Sequence, residues 1–126
     1  MSAGDRVVLK VPSSSEYART VRLVAAELAT RAGMDIDGID DVRMAVEEAF
    51  VYAVEHLAGP ELEFAFTVHE GSIELDVSPL SSDCAGEEAP DSSERFARFI
   101  LETMCDSCEI GEIDGVYRLR VVKSAG

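Results

Sequence analysis

Asp41-Val-Arg-Met-Ala-Val-Glu-Glu-Ala-Phe-Val-Tyr-Ala-Val-Glu-His56 is the stretch on which the fold turns. Val42, Ala45, Val46, Ala49, Ala53 and Leu57 recur at three- and four-residue intervals. That is the period of a helix with one apolar stripe, which must lie on something else apolar. Asp40 and Asp41 offer carboxylates that can cap its first turn, and Gly59-Pro60 breaks it. The spacing therefore predicts a helix from about Asp41 to Leu57, preceded by a short polar loop over 34–38.

Working outward, Glu16 to Ala32 has the same periodicity, with Val21, Val24, Ala25, Leu28 and Ala29 on one side. Ser13-Ser14-Ser15 stands ready to cap it, and Gly33 can stop it. Upstream, the β-branched run Val7 to Val11 reads as a strand that Pro12 ends. Downstream, Leu62, Phe64, Phe66 and Val68 alternate with smaller or polar residues, and so do Ile73, Leu75 and Val77. A turn over 69–72 makes these two runs a hairpin. Residues 79–93 carry Ser, Asp, Glu and Pro with almost no large apolar side chain, so a flexible acidic loop is expected. Helical spacing returns at Phe96, Phe99, Ile100, Thr103 and Met104, and two short strands follow, 108–110 and 116–122, joined at Asp114-Gly115. The expected fold is an α+β two-layer sandwich: helices on one face of a mixed, mostly antiparallel sheet, forming a single domain over 1–126.

Composition narrows the function classes. Asp and Glu number 25 against 11 Lys and Arg, a formal net charge of −14. Nucleic-acid binding needs a basic surface to neutralise phosphates, so no direct nucleic-acid contact is expected. Anionic membrane is disfavoured for the same reason, and no apolar run is long enough to span a bilayer. Basic protein partners fit the charge. The chain opens with no signal-peptide pattern, and three cysteines, an odd count, suit a reducing compartment. The expected location is therefore cytoplasmic.

Glu48-Ala49-Phe50-Val51-Tyr52-Ala53-Val54-Glu55-His56 resembles the N-box helix of the anti-sigma serine kinases, a family within the GHKL (Bergerat-fold, histidine-kinase-like) ATPases. Their pattern is Glu-Ala-x-x-Asn-Ala, often with a His three residues on. Glu16-Tyr17-Ala18-Arg19 resembles the acidic-aromatic-Ala-Arg start of the family's first helix, and the element order is similar over nearly the whole chain. The resemblance implies that Glu48 is a catalytic base and that position 52 should hold Mg²⁺. Residues four apart share a helix face, so both could reach one metal-phosphate site. Here Tyr52 replaces the Asn, and a neutral phenol is a poor ligand for a hard cation. The resemblance further implies an Asp-x-Gly-x-Gly turn that reads adenine, where this chain has Val77-Ser78-Pro79-Leu80. Asp76 is one residue off register, which on a strand means the opposite face. A glycine turn that approaches phosphate is replaced by Glu94-Arg95-Phe96-Ala97, behind the acidic Glu87, Glu88 and Asp91.

These departures predict weak or lost binding of Mg-ATP and Mg-ADP, with no metal site. Glu16 and Arg19 match the family's partner-binding positions, which do not depend on nucleotide. The leading expectation is an anti-sigma-factor-like protein that sequesters a sigma factor and releases it to an anti-anti-sigma factor, with a homodimer possible. The alternative is an active serine protein kinase that phosphorylates the anti-anti-sigma factor, with Glu48 as base. Plainer readings stand beside these. Glu48 and Arg19 suit exposed helix positions, and Tyr52 suits a core-edge aromatic or a plug in the former pocket. His56 and His69 suit the surface, and Cys105 and Cys108 suit structural thiols where a helix ends.

Overall fold

The computed structural model describes residues 4–56, 58–82 and 92–125, with the side chains of 92–95 also outside the description. The elements run β1 (Asp5–Pro12), a 3₁₀ turn (Ser15–Tyr17), α1 (Ala18–Arg31), α2 (Ile36–Glu55), β2 (Glu61–His69), β3 (Ser72–Ser78), α3 (Ser92–Met104), β4 (Ser107–Ile113) and β5 (Val116–Ser124). The strands form one sheet in the order β1-β2-β3-β5-β4. Every pairing is antiparallel, so the sheet is wholly rather than mostly so.

Two tight turns fix the register. Ile113 pairs with Val116 across Asp114-Gly115, and both turn residues have positive φ, 54° and 83°. That is the conformation a two-residue hairpin needs to match strand twist. Likewise His69 pairs with Ser72 across Glu70-Gly71, with Gly71 at φ 90°.

The helices cover the sheet face that carries Leu62, Phe64, Phe66, Ile73, Leu75, Val77, Leu119 and Val121, all buried. α2 lies in the middle of the helical layer, packed against α1 on one side and α3 on the other. Its buried residues are Val42, Ala45, Val46, Ala49, Phe50, Tyr52 and Ala53, three of them alanines, and the Phe50 ring stacks on Phe64 with centroids 5.6 Å apart. Small residues at a helix contact shorten the distance between axes, and Ala25 and Ala29 of α1 do the same from the other side.

Three expectations about element limits change. α2 starts at Ile36, not at Asp41, and its cap is Asp35, whose Oδ1 accepts from the Gly38 N–H at 2.8 Å. α1 starts at Ala18 after the 3₁₀ turn, and no serine side chain caps it; the Ser13 hydroxyl donates to the Pro60 carbonyl instead, at 3.1 Å. The expected loop over 79–93 is pinned at its start: Leu80 is buried, its N–H donates to the Tyr117 carbonyl at 2.9 Å, and the Ser81 N–H donates to the His56 carbonyl at 2.8 Å. α3 begins at Ser92, and the acidic residues Glu87, Glu88 and Asp91 lie outside the described residues.

Candidate functional site

Glu48 and Tyr52 are four apart on α2, yet their surroundings differ. Glu48 is half-buried on the outer side, at the edge of a cleft for which α2 is the floor. Arg22 of α1 forms one wall, and Phe96 and Ile100 of α3 form the other. The cleft is open to solvent. Its cations are engaged already: the Arg22 guanidinium lies 2.8 Å from Glu47, and Arg43 lies 3.4 Å from Asp40. Among the described residues Glu48 makes no ion pair. Partial burial pushes its carboxyl above the ordinary glutamate range, and the charge of Glu47 adds to the rise. The other carboxylates of the cleft are Asp40 and Glu47.

Tyr52 is 3% exposed and its ring stacks on the His56 ring, with centroids 4.4 Å apart. It is buried and not a core-edge aromatic, and it does not line the cleft. His56 is likewise buried and not at the surface. Tyr52 follows Ala49 by one turn on the buried side of α2, and His56 is the residue that ends the helix.

The remaining nucleotide positions have other duties. Asp76 lies on the helix-free side of the sheet, opposite Arg120, and their side chains meet at 3.1 Å. Arg118 is 3.5 Å from the same carboxylate. Val77 is fully buried and Leu80 is nearly so, and among the described residues no carboxylate stands at the turn where adenine would be read. At the phosphate end, Phe96 stands exposed where a glycine backbone would approach. Among the described residues a phosphate chain and Mg²⁺ therefore find no fitting partners: a buried phenol stands at the metal-holding position, the apolar Val77 stands where an acid would read adenine, and Glu48 adds a negative charge to the cleft.

The start of α1 is open by contrast. Glu16 and Arg19 are both exposed, and Arg19 makes no ion pair among the described residues. Tyr17 lies beside them, and Leu23 is 55% exposed one turn beyond Arg19. Sequence reading missed Leu23. Its signal was available, because it falls off the Val21, Ala25, Leu28, Ala29 stripe and so had no core to enter.

Cys105 follows α3 directly and Cys108 stands on β4. Burial pushes their thiols up to about 12 and about 11, so neither is thiolate at neutral pH. Phe96 and Phe99 were expected on the apolar stripe of α3; they point outward instead, and Ala97 and Leu101 fill the core. Aromatics at helical spacing define a face without saying which way it turns.

A two-layer sandwich of this order, with an N-box-like central helix, is the architecture of a histidine kinase-like ATPase. The chain belongs to that family: residues 11–116 match the family model described as Histidine kinase-like ATPase domain. Among individual relatives it is similar to the serine-protein kinase RsbW of Oceanobacillus iheyensis, 27% identical over 92% of this chain and 85% of that one. It is also similar to the serine-protein kinase RsbW of Bacillus thuringiensis, 30% identical over 62% of this chain and 51% of that one. The chain thus spans about half the length of the Bacillus relative. A crystal structure of the RsbU and RsbW domains of Rv1364c from Mycobacterium tuberculosis has the same fold, with a TM-score of 0.64 at 17% identity. It covers 95% of this chain, which spans 32% of that one. The resemblance read from Glu48-Ala49 and from Glu16 to Arg19 is borne out. No helix among the described residues is long and apolar enough to cross a membrane.

Proposed function

We propose that this chain is a regulator of the anti-sigma type, which holds a sigma factor through the start of α1 and yields it to an anti-anti-sigma protein without phosphoryl transfer. The observation that carries the reading is the contrast between two sets of family positions. Glu16 and Arg19 stand exposed, while Tyr52 and Val77 are buried in the core. Arg and aromatic residues are enriched among those that dominate binding, and Tyr17 and Leu23 give Arg19 apolar neighbours that a partner could cover. The net charge of −14 favours a basic partner surface and faster encounter.

The test uses the purified chain with a sigma factor and an anti-anti-sigma protein from the same genome. Calorimetry should find sigma binding without nucleotide, at least tenfold weaker for Arg19→Ala. Radiolabelled ATP should transfer nothing to the anti-anti-sigma protein. The relatives named as serine-protein kinases, and the raised carboxyl of Glu48, support the second reading, an active kinase. Label transfer that vanishes in Glu48→Gln would put that reading first.

A further inference from the structure

The outer cleft over α2 is a surface the partner reading does not use. Its apolar lining is Met44 on the floor and Phe96 and Ile100 on the wall; Phe99, one turn beyond Phe96 on α3, is exposed outside that lining. Phe96 is 59% exposed, Phe99 62% and Met44 48%. Exposed aromatics clustered in this way are uncommon on a surface with no ligand. Met adapts its shape to what lies on it, and aromatics supply most of the binding energy in helix-in-groove contacts. Glu48 borders these apolar side chains, in a lining that also holds Arg22, Asp40, Arg43 and Glu47. It has no cation of its own among the described residues, and Glu47 and partial burial disfavour its charge. A cation brought in beside it would relieve that cost.

From this juxtaposition we infer that the cleft is a docking groove for a basic amphipathic helix of a partner protein, with apolar side chains on Met44, Phe96 and Ile100 that extend over the rim to Phe99, and a Lys or Arg on Glu48. A second copy of this chain is a poor occupant. A two-fold contact sets the same patch against itself, so it would bring Glu48 towards Glu48 between two chains each at −14. The inference goes beyond the Arg19 face and stands or falls apart from it.

The probe is a synthetic 14-residue Leu/Lys amphipathic helix, with a Leu/Glu peptide of the same pattern as control. Fluorescence anisotropy should give micromolar binding for the Leu/Lys peptide alone. NMR should place its shifts at the Met44 methyl and at Ile100. Glu48→Lys should weaken binding at least tenfold, and Phe99→Ser at least fivefold, with circular dichroism unchanged because both positions reach solvent. Four results would overturn the inference: no binding, equal binding of the Leu/Glu peptide, shifts scattered over other acidic surfaces, or a dimer by sedimentation that Phe99→Ser dissociates. The last would give the face to a second copy. None of them bears on sigma-factor binding by Arg19.

Discussion

The two seams on either side of α2 are built differently. Towards α1 the seam is closed: Val21, Ala25, Leu28 and Ala29 are buried, and the Arg22–Glu47 pair bridges the rim at 2.8 Å. Towards α3 it stays open at the surface. Ala97 and Leu101 are buried beneath it, and Phe96, Phe99 and Met44 are left to solvent. A closed seam holds the layer together, and an open one of this composition is a place to bind. Selection for stability alone would not leave two phenylalanines outside while an alanine fills the core.

The comparison can be broken at its weakest anchor. Leu101 is the fully buried large side chain among the described residues of α3. Leu101→Ala should cost about 2–5 kcal/mol, seen as a lowered urea midpoint, with amide exchange rising first in α3. A loss spread evenly over all three helices would mean that the open seam is as structural as the closed one. On the closed side, Ala25→Leu adds volume where none is free and should cost about 1–3 kcal/mol, by the same urea measurement. Phe99→Ser on the open side should change stability by less than about 0.5 kcal/mol; a larger loss would show hidden packing.

Smaller effects sharpen the contrast. Arg22→Ala removes a rim pair whose partners both reach solvent, so its cost should be about 0.2–1 kcal/mol. It should also raise the titration midpoint of Glu48 further, measurable by carboxyl ¹³C NMR, because Glu47 loses its counter-charge. Glu48 itself sets a sign. A carboxyl whose folded pKa is raised opposes folding once ionised. Glu48→Gln should therefore match the parent in stability below the ordinary glutamate range and gain on it as pH rises through the folded titration. A gain already present at low pH would point to packing instead.

Much of this molecule is legible in its sequence. The apolar stripes of α1 and α2, the alternation in β2 and β3 and the Asp114-Gly115 turn each fix an element, because each pattern has one physical solution. The start of α2 was not legible. Asp35, Asp37, Asp40 and Asp41 are all chemically able to cap, and Ile36 is exposed, so the apolar period begins only after the helix does. The Asp76 register argument held, since alternation along a strand leaves no freedom: the carboxylate meets Arg120 on the far side. The orientation of α3 and the burial of Tyr52 and His56 were hidden for the converse reason. Which of two possible faces turns inward depends on the neighbouring sheet and on no local pattern.

The strand order also sets the sequence of folding events. β2–β3 and β4–β5 are local hairpins that can close early, whereas β3 joins β5 by pairing Leu75 with Val121, far apart in the chain. Non-local pairing of this kind is slower to form than a hairpin, and β1 with β2, which sets Val8 opposite Ala65, is non-local as well. Until β5 arrives, β3 presents a bare edge with Ile73, Leu75 and Val77 on one side. A chain emerging from the ribosome therefore carries, for that interval, a ready template for any other strand.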